Sequence, residues 1–527
     1  MSALLVLLLA LPAAGSLALL LCPPPVRDRV GRAVLLAVAA AVLVLSVPAT
    51  RAPDVDLVWI RSLGVHFHLG IDGVSGPLVV LTAALVLLCA VHLLRHAPEP
   101  GWVGALAGLL LLLETGVLGT FLSLDLLLFF VFFETVLIPM YFVIAVWGGN
   151  HHGSADQSDG SSEADPVARA AALKFILYTL LGSAVMLVGL LLVRARTGTT
   201  DMVALAQAGG AGMSHTVQVL AFAAIGLGLA VKAPMWPLHT WLPDAHTAAP
   251  TVGSVLLAGV LLKMGTYGLV RIALPVLPDG ARTLAPYLAA LGVVGIVYGS
   301  LACLAQRDLK RLVAYSSVGH MGFVLLGLST LTPAGVNGAL YANVAHGLIT
   351  GLLFFLAGAV KERHGTTDMQ VLGGGLYARA PRLGGVLAFA AVARLGLPGL
   401  AGFWGEMLAM LGAFRPAGAL DRPLYLTLMA LAGVGTVLTA AYLLGMVRTV
   451  DQGTSDPRWD VVDGTDDVDG HDGHLPVLDA ARDEVAVWAP LVLAALVLGL
   501  WPGFLLRITD PAVHALLGQH LALWGAR

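Results

Sequence analysis

Apolar runs of about twenty residues recur along almost the whole chain, and that one feature leaves few ways to fold in water. A bilayer core of about 30 Å is crossed by roughly 20 apolar residues in a helix. Runs of that length lie near 3–22, 33–48, 74–94, 102–121, 124–147, 168–193 and 216–235. Seven more follow near 250–274, 284–304, 309–330, 335–360, 383–413, 424–447 and 486–508. The reading is therefore an all-α polytopic membrane protein of about 14 transmembrane helices. Composition agrees: 58% of the 527 residues are hydrophobic and 12% are charged, against roughly 25% charged in soluble proteins. The 29 basic and 32 acidic residues include no basic tract that would point to nucleic acid. Cys22, Cys89 and Cys303 are scattered, which argues against iron–sulfur, zinc and disulfide frameworks.

The first run lacks the basic start of a secretory signal, and Arg27, Arg29 and Arg32 follow it. It reads as an uncleaved first helix. Basic residues favour the cytoplasmic side of a membrane, and the clusters Arg307/Lys310/Arg311 and Lys361/Arg363/Arg379/Arg382 share a face with the first one if the N-terminus is outside. Fourteen crossings return the C-terminus outside. Residues 149–166 and 451–485 are acidic and rich in small polar residues, and read as flexible cytoplasmic loops. Their HHG and HDGH pieces read as solvated loop rather than as metal sites.

A weak repeat is also legible. Turns with Asp125 and Asp308 open the fifth and tenth helices, Leu177–Tyr178 echoes Leu340–Tyr341, and Pro234 echoes Pro398. Each pair is five helices apart, and an odd offset inverts the second copy, as in many transporters. The expected organisation is three N-terminal helices in 1–101, a first repeat of helices 4–8 in 102–274, and a second of helices 9–13 in 283–448. An acidic loop (449–485) and a last helix with its tail (486–527) complete it.

Ionisable groups inside spans carry the functional signal, because each costs about 2.5–3.5 kcal/mol at the bilayer centre even on a mild scale. Glu134, Lys232, Lys263, His320, His346 and Glu406 all fall deep in apolar runs. Glu114 and Lys174 lie nearer predicted helix ends, where they could reach water. Four buried charges are more than packing requires, and a buried lysine near a carboxylate can load and release a proton. Pro234 and Pro237 follow Lys232, and Pro398 precedes Glu406 among several glycines. Such breaks survive at membrane depth only when buried or lining a watery cavity.

The segments DLLLFFVFFETVLIPMYF, LKFILYTLLGS, VKAPMWPLHTWLPDAHTAAPTVGSVLLAGVLLKMGTYGLVR, RDLKRLVAYSSVGHMGF and LGLPGLAGFWGE resemble the antiporter-like subunits of respiratory complex I over roughly residues 60–510. Among these subunits the chain resembles the M-type branch. The resemblance implies that Glu134 is the fifth-helix glutamate, with Lys232 its partner lysine and Lys263 the connecting lysine. It makes His320 and His346 the continuation of the axis and Glu406 the terminal charge, usually Glu in this branch and Lys in its L, N and sodium/proton antiporter cousins. It also implies a chain without a long lateral helix after the fourteenth span. NADH, flavin mononucleotide, iron–sulfur clusters and quinone would be bound by other subunits and no cofactor by this chain. Expected partners are the membrane-arm subunits, including those of the L and N type, in a bacterial plasma membrane. Mrp-type cation/proton antiporters and energy-converting hydrogenases are the alternatives. One departure stands out: Arg394 occupies the place before LGLPG where the pattern leads one to expect a small residue.

Overall fold

The computed structural model describes residues 3–149, 165–453 and 479–525, so most of the two acidic loops, with their HHG and HDGH pieces, lies outside the described residues. Every expected apolar run is helical. We number these helices α1 (Ala3–Leu21), α2 (Pro24–Ala49), α3 (Gly76–His92), α4 (Val103–Leu122), α5 (Leu126–Trp147), α6 (Pro166–Thr197) and α7 (His215–Lys232). They continue as α8 (Thr251–Val276), α9 (Pro278–Leu304), α10 (Leu309–Ser329) and α11 (Pro333–His364). Then come α12 in two halves (Pro381–Arg394 and Ala401–Phe414), α13 (Arg422–Val450) and α14 (Arg482–Leu500). Twelve are long and apolar enough to cross a membrane, while α3 and the second half of α12 are shorter apolar helices.

Burial sorts them into shells. The membrane windows of α8 and α11 are 100% buried, whereas those of α1 and α2 are about a third buried or less. Helices apolar on every face belong inside a bundle, and the outer ones turn Leu and Val side chains toward lipid. The two central helices are therefore α8 and α11.

Several local features went beyond the sequence reading. Residues Val55–Ile60 and Val65–Leu69 form an antiparallel hairpin, β1–β2, turning at Gly64 with φ 62°. α5 is interrupted at Val136, just after Glu134, because the Pro139 ring cannot donate to the carbonyl four residues back. α8 contains two widened π turns, Leu257–Leu261 and Leu269–Ala273, on either side of Lys263. The last span ends at Leu500, eight residues earlier than expected. After Trp501–Pro502 an additional helix, α15 (Gly503–Trp524), begins.

The inverted repeat has a clearer signature than the one read from the sequence. The pentapeptide Gly-Thr-Thr-Asp-Met occurs at 198–202 and again at 365–369. Its glycines, Gly198 and Gly365, end α6 and α11 at φ 77° and 66°, the left-handed conformation that closes helices. In the first copy Leu126 N donates to Thr200 O at 2.9 Å and Met202 N to Leu124 O at 2.8 Å. In the second, Leu309 N donates to Thr367 O and Met369 N to Arg307 O, both at 2.8 Å. Asp125 caps α5 through Leu127 N and receives the Thr200 hydroxyl at 2.6 Å. Asp308 caps α10 through Arg311 N and receives the Thr367 hydroxyl. With fourteen crossings these knots lie on opposite faces.

The first knot carries an extra ion pair, His68 Nδ1 to Asp201 Oδ2 at 2.9 Å. The Asp201 partner holds the imidazole above its ordinary range, and His68 holds the carboxylate below its own. A raised imidazole contributes stability that is complete below its unfolded pKa and is lost as pH rises through the folded one. The Asp201 share is present above the ordinary carboxylate range and is lost on acidification. Thermal unfolding of the detergent-extracted protein should therefore move to lower temperature as pH rises from about 6 to about 8. His68→Gln should flatten that part of the profile, and an unchanged slope would remove His68 as its source.

Candidate functional site

The deepest ionisable groups meet where α8, α10, α11 and α12 pack. Lys263 is fully buried on α8, and its Nζ lies 2.6 Å from His346 Nδ1 of α11. The same ammonium donates to the carbonyl of Ala258 in the first π turn, a turn type that loosens backbone pairing. The rings of His346 and His320 lie 5.0 Å apart between centroids, tilted by 30°. His320 Nδ1 is 3.5 Å from Glu406 Oε1 on the second half of α12. Four of the residues singled out from the sequence thus form one contiguous buried file from Lys263 to Glu406.

Tautomers limit what this file holds. A carbonyl only accepts, so His320 Nε2, 3.3 Å from Ala342 O, must carry a hydrogen. In neutral imidazole the other nitrogen is then an acceptor. Facing a carboxylate oxygen, that nitrogen makes a favourable contact only when one proton is shared between His320 and Glu406. The same count holds at the other end: Lys263 can donate to His346 Nδ1 only while that nitrogen is bare. Each contact is a place for one movable proton.

Glu134 and Lys232 are arranged differently. They are near enough to feel each other's charge, yet Lys232 Nζ has no hydrogen-bond partner and neither does Glu134 Oε1. The ammonium sits 5.0 Å from the Phe133 ring and 5.8 Å from that of Phe175, an arrangement in which aromatic faces attract the cation. Glu134 lies beside Ser183 of α6. Lys232 is the last residue of α7, ahead of the break that contains Pro234 and Pro237, and the short helix Trp241–Ala248 follows. Pro398 lies in the α12 break between Arg394 and Ala401.

Other buried groups were passed over or placed elsewhere in the sequence reading. His246 is fully buried, stacked at 4.5 Å on Phe354, with neither ring nitrogen hydrogen-bonded. It stands in the WLPDAH stretch, where its apolar surroundings were the available signal. Glu114 is not near water as expected: it is fully buried on α4 with both oxygens unpartnered, because α4 is packed on most of its circumference. Lys174 does reach the edge of the fold, where it pairs with Asp244 at 2.7 Å. On the face with the basic clusters, His96, Glu362 and Glu484 bring donor atoms within 4.8 Å of one another. Arg363 already forks onto Glu484 at 2.6 and 2.8 Å, and His96 bridges Glu362 and Asp483. A metal ion there would have to displace those cations.

A polytopic bundle with interrupted helices around a file of titratable groups belongs to the class of antiporter-like membrane proteins. Residues 123–439 match the family described as NADH:quinone oxidoreductase/Mrp antiporter, transmembrane. The chain is 39% identical over 480 residues to NADH-quinone oxidoreductase subunit M of Rhodobacter capsulatus, covering 89% of this chain and 85% of that one. Its fold matches a chain of respiratory complex I from Thermus thermophilus with TM-score 0.82 and 30% identity, over 98% of this chain and 99% of the other. A chain of the Mrp complex from Dietzia shares the fold at TM-score 0.82 and 23% identity, over 99% of each chain. The protein belongs to the NADH:quinone oxidoreductase/Mrp antiporter family, and it is a multi-pass bacterial membrane protein.

Proposed function

We propose that this chain is a proton-translocating membrane-arm subunit of an NADH–quinone oxidoreductase, coupling electron transfer in other subunits to proton movement through its buried axis. The single observation that carries the reading is the unbroken file Lys263, His346, His320 and Glu406. Its groups are in sequential contact, with Lys263 hydrogen-bonded to His346. The later steps close when His346 Nε2 and His320 Nδ1, both without a hydrogen-bond partner among the described residues, gain one. Glu134 and Lys232 supply a second charged station, in the first of two five-helix units (102–274 and 283–448). The likeness to subunit M of Rhodobacter capsulatus supports the oxidoreductase over the antiporter alternative, since the Mrp likeness is one of fold.

On this reading NADH, flavin, iron–sulfur clusters and quinone are held by other subunits, and this chain binds none of them. Its neighbours are the other membrane-arm subunits, including antiporter-like ones of the L and N type. An affinity tag on the chain, used in mild detergent from its native membrane, should recover NADH–quinone activity together with flavin and iron–sulfur absorbance. On reconstitution into vesicles the same preparation should acidify the lumen when NADH is added. Recovery of an Mrp-type assembly without NADH oxidation would overturn the proposal.

A further inference from the structure

Arg394 is buried at 2% exposure, and arginine does not lose its proton in proteins. It is the last residue before the α12 break, as Lys232 is the last before the α7 break. The repeat therefore makes the two cations counterparts: one can be discharged and the other cannot. Both stand at a half-helix C-terminus, where free carbonyls favour a positive charge.

The break folds the chain after Arg394 back toward Glu406, close enough for the two charges to interact although they form no direct ion pair. In an unbroken helix twelve residues span ~18 Å, but Gly396, with φ 78°, sits so near the carboxylate that a Cβ there would lie 3.2 Å from Glu406 Oε2. The guanidinium itself is held by a carbonyl: Nη2 donates to Ser316 O of α10 at 2.5 Å, one turn from His320, and Nε has no hydrogen-bond partner. The groups that feel its charge are Glu406 on α12, Tyr442 on α13 and Cys303 on α9. So do Lys263, His320 and His346 on the axis. Of these, only Glu406 is a carboxylate that can balance a buried cation, which is costly when left uncompensated.

We propose that Arg394 is a fixed counter-charge that makes Glu406 a transient proton site, so that a proton reaching the end of the axis is expelled. The inference rests on the proton-translocation reading above. With Glu406 ionised, the Arg394–Glu406 couple is neutral. Transfer of a proton from His320 Nδ1 breaks an N–H bond and forms an O–H bond on Glu406, and the couple becomes positive. Repulsion from the guanidinium then favours breaking that O–H bond in turn, with the proton passing to water at the α12 break. Arg394 acts through Glu406 and is a positioning residue.

Two variants separate charge from anchoring. Arg394→Gln keeps a donor for the Ser316 carbonyl and removes the charge, while Arg394→Lys substitutes a cation that burial can discharge. Both are assayed as assembled complex in inverted membrane vesicles, by NADH-driven acidification over a range of pH. R394Q should pump about tenfold less near neutrality and recover at higher pH, a profile displaced by about one unit. R394K should fall between R394Q and wild type, its profile displaced in the same direction as R394Q but by less, because a buried lysine can be discharged where arginine cannot. In R394Q/E406Q the loss should not exceed that of E406Q alone, since coupled sites are non-additive. An R394Q profile that keeps its position on the pH axis, lowered evenly or not at all, would overturn the proposal. So would additive losses in the double variant. Wild-type pumping by Lys263→Met would instead remove the underlying reading, which keeps the two failures apart.

Discussion

Lys263→Met is expected to lower proton pumping and coupled NADH–quinone turnover by about tenfold or more, while the complex still assembles. Methionine is unbranched and flexible like lysine, one heavy atom shorter, and packs readily in cores, so little of the loss should come from a cavity. What disappears is, among the described residues, the only group within hydrogen-bond reach of His346 Nδ1 that can hand it a proton. His346 would keep His320 at 5.0 Å on one side and face a thioether on the other. Because the lysine is fully buried, bulk water is poorly placed to stand in for it. The check is acidification of inverted vesicles, normalised to the content of assembled complex. Pumping at the wild-type ratio of protons to NADH would show that protons bypass this file.

Glu406 should show an equally large effect with a sharper chemical signature. Glu406→Gln preserves size and one hydrogen-bond acceptor but cannot share a proton with His320 Nδ1 across the 3.5 Å contact. It should lose most pumping, again about tenfold or more, as expected for removal of a positioned proton acceptor. Glu406→Asp keeps the ionisable group and withdraws it by one methylene beside the Gly396 turn, so it should retain a substantial part. Vesicle acidification compares the two directly. Equal activity in Gln and Glu forms would place the outlet elsewhere and leave Glu406 as a polar packing group.

The central charges were legible because nothing else in a lipid-buried helix resembles them. Lys263 among SVLLAGVLL and Glu134 among LLLFFVFF violate the composition of their surroundings at a cost that packing alone does not repay. His246 was missed for the converse reason: a histidine among alanines and a proline looks like an ordinary core residue until both ring nitrogens are found without partners. Glu114 was misplaced because a residue's distance from a helix end says nothing about the helices packed beside it. The repeat was read from scattered matches, while the stronger Gly-Thr-Thr-Asp-Met signal sat in connections whose importance depends on the strands of backbone they bond to.

The spans themselves follow from sequence alone, since hydrocarbon demands internally bonded helices of a fixed length. The lost backbone donors at Pro234, Pro237 and Pro398 are likewise written in the sequence. Pro12, Pro286 and Pro490, however, sit inside continuous helices, so which prolines coincide with a break is decided by packing. Which charge meets which was decided only in three dimensions. The file runs Lys263, His346, His320, Glu406, crossing four helices in an order unrelated to the chain. Lys232 lies 5.0 Å from the Phe133 ring centroid and makes no hydrogen bond to Glu134. Arg394 reaches Glu406's neighbourhood because a glycine turn folds twelve residues back on themselves. Helix periodicity fixes one face of one element, whereas contact between buried charges depends on how elements pack, and packing is set by the whole bundle at once.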